Sequence, residues 1–140
     1  MTSRRVRGTI SQLGELIERV MRRLQLRAFQ ALTSATPVDT GFARAGWTPS
    51  VGAPDPGPSE RPSKPAVARA QAEALFGSHS RAAELLASSY RLGQGAVFIV
   101  NNVRYVVYLN AGSSAQAPAL FVERAVATAI AATRRELPKL

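Results

Sequence analysis

One apolar stripe at helical spacing constrains this chain more than any other feature. Ile10, Leu13, Ile17, Val20, Leu24, Ala28 and Ala31 recur at three- and four-residue steps, which places them on one face of an α-helix. The stripe predicts a long amphipathic helix from roughly Thr9 to Thr33, with Thr9 or Ser11 able to cap its start. Glu15–Arg19 and Glu18–Arg22 have the favourable i,i+4 order, each pair adding about 0.3 kcal/mol. Gly14 weakens the pattern by up to about 1 kcal/mol relative to Ala. Pro37 stops the helix, because the residue before a proline is pushed out of helical geometry. Ahead of the stripe, residues 1–8 carry Arg4, Arg5 and Arg7 before Gly8 and read as a basic arm.

The next segment, Val38–Trp47, reads as a turn leading into extended chain. Asp39 can fold its carboxylate onto the backbone in an Asx-type turn, and Gly41 can supply positive φ. Trp47-Thr48-Pro49-Ser50-Val51 is strand-like at its ends. From Pro49 to Pro65 the chain holds six prolines together with Gly52, Gly57 and Ser59, the composition of a loop or extended linker. Ala66–Tyr90 is Ala-rich and predicts one or two helices, Val67–Leu75 and Arg81–Tyr90. After a turn at Gly93-Gln94-Gly95, the β-branched run Ala96–Val100 is the clearest strand. Tyr105–Leu109 suits a hairpin partner or a short helix, since periodicity does not separate the two over so few residues.

Pro118 suits the first turn of a final helix, with Val122, Val126, Ile130, Thr133 and Leu137 as its buried stripe. Arg134 and Arg135 there complement the C-terminal end of the dipole. The sum is one α+β domain over residues 1–140: two terminal helices packed on a small, mainly antiparallel sheet, with a Pro-rich central loop at 49–65.

Charge bears on partners. Eighteen Lys and Arg against nine Asp and Glu give +9, with Arg far outnumbering Lys. Such a balance points to a polyanion or to acidic partner surfaces, although a GC-rich coding sequence also yields an Arg- and Ala-rich chain. Arg4, Arg5 and Arg7 on the arm, and Arg19, Arg22 and Arg23 on the polar side of the first helix, are candidates to face DNA phosphates without reading bases. Partial pairing with Glu on a solvated helix face is the competing reading for Arg19 and Arg22. No aromatic residue precedes Phe29, so base stacking finds little support. No apolar run is long enough to span a membrane, and we expect neither a transmembrane span nor a secretory signal.

Catalytic chemistry has little to stand on. With no cysteine, disulfides, thiolate metal sites and cysteine nucleophiles are excluded. His79 is the only histidine, in a Gly-Ser-His-Ser stretch expected at the surface, and the scattered acids form no obvious metal-ligand set. Neither a P-loop nor a dinucleotide fingerprint occurs. Asp39-Thr40-Gly41 matches the aspartic-protease triplet, in which paired loops share one proton between two carboxylates. Its flanks, Thr36-Pro37-Val38 before and Phe42 after, lack the expected apolar strand and small residue. We expect no enzyme, metal or cofactor. Trp47, Tyr105 and Tyr108 read as packing residues, and Asn101, Asn102 and Gln116 as side chains that tie irregular backbone together.

Two segments together resemble a known family. Pro37, Asp39, Thr40 and Gly41 with Arg44 and Trp47 form the first, and Asn101, Asn102, Tyr105, Gly112, Ser113, Ser114, Gln116, Ala117 and Pro118 the second. Their order and flanks are similar to those of the neck and tail-completion proteins of long-tailed bacteriophages (the lambda minor-tail-protein-Z-like group). The acidic residue common before the family's glycine is replaced here by Asn110, and Pro49–Arg91 lies outside the likeness. The resemblance implies a structural virion protein assembled in the host cytoplasm and placed at the head–tail junction. It implies a homohexameric ring that joins the tail-tube protein to connector or stopper proteins around the genomic DNA. Six copies would carry roughly +54, a charge suited to a DNA channel. Ring closure needs a head-to-tail interface, for which Trp47, the Pro-rich loop and the terminal helices are candidates. The alternative is a small basic protein that grips nucleic-acid phosphates without sequence specificity.

Overall fold

The computed structural model describes residues 2–140 and shows an α+β chain dominated by helix. Helix α1 runs Thr2–Ala35, the short α2 Phe42–Ala45, strand β1 Trp47–Val51 and helix α3 Pro65–Ser89. A 3₁₀ turn at Leu92–Gln94 leads into β2, Val97–Asn101, and then come α4, Val106–Asn110, and α5, Phe121–Glu136. Both terminal helices and the antiparallel pairing are as the sequence predicts. Tyr105–Leu109 resolves as the short helix, and the Ala-rich region as one continuous helix.

The two strands pair antiparallel in the register Trp47↔Asn101 to Val51↔Val97. The Gly52 N–H donates to the Ala96 carbonyl at 2.8 Å just beyond that ladder. Bonded pairs alternate, so Pro49, one position out of phase with Ser50 and Gly52, faces the free edge and removes no ladder bond. Pro65 occupies the first turn of α3, where its missing N–H costs nothing. The Pro-rich loop is therefore shorter than its prolines suggest, and it is pinned to the body. The Arg104 N–H donates to the Ser59 carbonyl at 3.0 Å, and Arg104 pairs with Glu60 at 2.9 Å. The Asx-type turn belongs to this loop: Asp55 Oδ1 accepts the Gly57 N–H at 3.0 Å.

The basic arm is helix, not loose chain. Arg4, Arg5 and Arg7 lie within α1, and Thr9 bonds the Arg5 carbonyl inside it instead of capping it. Met1, the first residue of the expected arm, lies outside the described residues. The expected stripe on α1 is buried only in part. Ile10, Leu13 and Ile17 are exposed, whereas Gln25, Phe29, Leu32, Thr33 and Thr36 are buried. The N-terminal half of the helix extends past its neighbours, and the buried face of the other half turns toward α3 and α5.

In α5 the buried stripe is Phe121, Ala125, Ala129 and Thr133, so of the expected set only Thr133 is fully buried. Val122 is half-buried against the core, while Val126, Ile130 and Leu137 are exposed. Helix α3 repeats the pattern with Ala68, Ala72, Ala83 and Ala87. Small side chains let helix axes approach closely, so the alanine rows take the interior and the larger aliphatic rows stay outside. Arg27 and Glu136 pair across α1 and α5.

Trp47 joins these layers. It packs with Phe29, Leu32, Ala83 and Ala125, drawn from α1, α3 and α5. Its indole N–H donates to Thr36 Oγ1 at 2.8 Å, and that hydroxyl donates to the Leu32 carbonyl at 2.6 Å. Trp47 is 6% exposed, which removes it from the candidate ring contacts. We predict that Trp47→Phe, which keeps a ring but loses the donor, lowers stability by about 1–3 kcal/mol. A urea melt should show a lower midpoint at unchanged slope.

Candidate functional site

The two segments that carry the family resemblance meet in space. Asn101 stands at the junction: its amide Nδ2 donates to the Ala43 carbonyl at 2.7 Å, and its Oδ1 accepts the Val103 N–H at 3.1 Å. Gln116 does the same at the far end, its Oε1 accepting the Val38 N–H at 3.1 Å. Ser114 Oγ in turn accepts the Gln116 N–H at 3.1 Å. Asn102 is exposed, so the expected tie rests on Asn101 alone of that pair.

Close approach explains Gly46. A Cβ there would sit 2.6 Å from Val103 Cγ2 and 2.8 Å from Asn101 Oδ1, so any side chain would push the segments apart. Val103 is 1% exposed and packs with Phe42, Ala45 and Ala72 in a second core cluster. Gly41 takes the expected positive φ of 85° at the start of α2. Arg44 lies over the Phe76 ring, 4.5 Å from its centroid, a cation–π contact that spends the basic residue on packing. His79 is half-buried, not at the surface as expected: its Nδ1 lies 2.7 Å from the Ala45 carbonyl. A carbonyl only accepts, so Nδ1 carries the proton.

Between the segments lies a cleft of about 90 Å³, with Asp39, Arg61, Tyr105 and Gln116 among its lining residues. Asp39 does not form the Asx turn; Thr40 Oγ1 instead sits 3.4 Å from the Phe42 nitrogen, and the Asp39 carboxylate pairs with Arg61 at 3.3 Å. The Asp39 side chain is 80% exposed. A solvated carboxylate beside a guanidinium is the opposite of the shared-proton pair that protease chemistry requires. Arg61 also lies 5.9 Å from the centroid of the Tyr105 ring. Among the described residues, no group of three or more His, Asp or Glu side chains is placed to hold a metal ion.

Gly112 and Asn110 organise the entry to α5. Helix α4 closes in a Schellman motif: the Gly112 N–H donates to Leu109 O and the Ser113 N–H to Tyr108 O, with Gly112 at φ 97°. Asn110 then holds the next helix. Its carbonyl accepts the Leu120 N–H at 2.7 Å, its Oδ1 accepts the Val122 N–H at 2.9 Å, and its Nδ2 donates to both Glu123 oxygens. These bonds hold Leu120 at φ 63°, a left-handed conformation costing a branched residue about 1–2 kcal/mol. Pro118 accordingly precedes α5 instead of opening it. The departure from the family pattern at position 110 has a physical reason, since an acid there would face Glu123.

Known proteins add nothing to this geometry. No family, no curated protein and no solved structure matches the chain.

Of the candidate DNA-facing arginines, Arg4, Arg5, Arg7, Arg19 and Arg23 are exposed. Arg22 is occupied: its Nε donates at 2.9 Å to the carbonyl of Tyr90, the C-terminal cap of α3. Glu18, its expected partner, accepts the Leu92 N–H at 3.1 Å. Among the described residues neither Glu15–Arg19 nor Glu18–Arg22 forms an ion pair within 4 Å. Arg22 and Glu18 serve the turn after α3.

Burial raises the Tyr105 hydroxyl above the ordinary 10.0, against the opposing pull of Arg61, the Ala43 backbone and the Thr40 side chain. The native state then holds this proton more tightly than the unfolded chain does. The stabilisation is present below pH 10 and is lost as pH rises through the folded value. Tyr105→Phe should flatten that alkaline loss in stability measured against pH. Asn110→Asp should cost about 1 kcal/mol by setting a carboxylate against Glu123. Adding Glu123→Gln should restore most of it in thermal melts.

Proposed function

We propose that this protein is a structural component of the head–tail junction of a long-tailed bacteriophage, acting as a tail-completion or neck ring around the DNA channel. The observation that supports this reading is the junction of residues 36–47 with 101–118. Asn101, Gln116, Gly46 and Gly112, which belong to the resembling segments or lie within them, are spent on holding backbone. That is the use expected of a scaffold built for assembly. The cleft between the segments is small, about 90 Å³, and the proposed role involves neither catalysis nor a cofactor.

Partners follow from charge. Arg4, Arg5 and Arg7 are carried on helix α1 and Arg19 and Arg23 are exposed on it, so a ring of such chains would present arginines to phosphates. The same arginines support the second reading, a protein that grips nucleic acid non-specifically. Among the described residues no helix is long and apolar enough to cross a membrane, which agrees with a virion site without deciding it.

Native mass spectrometry across concentration, with and without duplex DNA, together with binding to isolated phage tails, separates the two readings. A closed hexamer, or a monomer that forms rings only on tails, is the expected result. A persistent monomer that binds duplex DNA with steep salt dependence and ignores tails would leave the nucleic-acid reading in its place.

A further inference from the structure

Among the large aliphatic side chains that the monomer leaves outside, which also include Leu85, Val107 and Leu120, two groups lie in places that bear on each other. On α1, every residue from Ser3 to Leu13 is exposed, so the helix stands free of the body on all sides for about 17 Å. One face of this part carries Val6, Ile10 and Leu13, and Ile17 continues it toward the body; they are 51%, 64%, 54% and 40% exposed. They expose roughly 350 Å² of apolar side chain, as much as the largest patch of a typical monomer. An isolated helix this short is marginal in water, and this one bears a bare apolar stripe.

The second place is a groove of about 260 Å³ on the body, between Met21 and Leu24 of α1, Val97 and Ile99 of β2, and Val126 and Ile130 of α5. Its floor is apolar apart from one group. Gln25 lines it, is 7% exposed, and its Nε2 finds no hydrogen-bond partner among the described residues. A buried amide donor without a partner costs free energy in the monomer and is relieved by an acceptor brought from outside.

We infer that the groove receives the α1 arm of a second copy of this chain. Three observations select that occupant. The arm and the groove belong to one continuous row on α1, in which Val6, Ile10, Leu13 and Ile17 run on into Met21 and Leu24. A copy laid along this row therefore finds bare arm at one end and walled groove at the other. The arm's aliphatic stripe is the surface the groove lacks, and the groove is the cover the arm lacks. Each copy offers one of each, and the stripe and groove together expose several hundred Å², about half of the roughly 800 Å² per partner of a standard interface. The arm is too short to fold back, since it continues rigidly from the helix that forms the groove wall. A Ser or Gln from the arm's flank, such as Ser11 or Gln12, can present an acceptor to Gln25.

Passed from copy to copy in one direction, the contact is heterologous and closes a ring. In that form it deepens the head–tail reading by naming the interface, although the contact itself does not depend on a virion role.

The absence of cysteine makes the test clean. Leu13→Cys and Ile130→Cys variants are prepared singly, mixed in equal amounts and oxidised. We expect a cross-linked dimer in the mixture at least tenfold above either variant alone. Ile10→Glu with Leu13→Glu, both on exposed positions, should leave circular dichroism unchanged, and the melting temperature unchanged at dilutions where both proteins are monomeric, while reducing self-association at least tenfold in sedimentation. Cross-linking confined to Leu13→Cys alone would show arms pairing with arms and overturn the proposal. So would an unaltered protein that stays monomeric at 100 µM by sedimentation, or a double variant whose one defect is lost binding to anionic lipid vesicles. Rings that still form on isolated tails with the double variant would remove this interface and leave the head–tail reading standing.

Discussion

The indole of Trp47 is the point on which the rest of the structure depends. Its ring fills the space where α1, α3, α5 and the sheet converge, and full burial of a side chain of this kind contributes about 2–3 kcal/mol. Its N–H is the polar atom that must be satisfied there, and Thr36 satisfies it from just past the end of α1. The same hydroxyl completes the helix end by donating to Leu32 O. One short chain of hydrogen bonds thus fixes where α1 stops and where β1 begins. The register of β1 on β2 starts at that residue, because Trp47 faces Asn101. Asn101 then sets the second junction, at Ala43 and Val103.

Around this centre the helices are packed through alanine. Ala83, Ala87, Ala125 and Ala129 are all buried, and each brings a neighbouring backbone nearer than a leucine would allow. Little side-chain entropy is lost in ordering such a contact. The consequence is a body whose helix contacts are lined by alanines beside a few large residues such as Phe29, Leu32 and Phe121, and whose exterior keeps Val126, Ile130 and the stripe of α1. That exposed set is what the proposed arm-in-groove contact would cover.

The arginines divide by location along the same helix. Near the body they become structural: Arg22 caps α3, Arg27 pairs with Glu136 and, elsewhere, Arg44 stacks on Phe76. Arg4, Arg5, Arg7, Arg19 and Arg23 on the same helix stay exposed. Exposed arginines and exposed aliphatic side chains thus share one helix.

Local physics written in the sequence determined the two terminal helices, helix in the Ala-rich region, the strand near Val97–Asn101, the stop at Pro37 and the turn at Gly41, but not the short helix Phe42–Ala45, which the sequence reads as extended chain. Each depends on the residue itself: period, φ preference, or a missing N–H. Even the order of the two resembling segments was legible there. Tertiary structure alone decided which face of each helix is inside, because a row of alanines and a row of valines both satisfy helical periodicity, and only the distance to the neighbouring axis chooses between them. It also decided that the arm is helical, since an exposed basic segment carries no periodic signal strong enough to predict it. The roles of Asn110, Arg22 and His79 were decided in the same way. Each bonds a carbonyl, an amide or a carboxylate from another part of the chain, and no local pattern records which distant group will arrive.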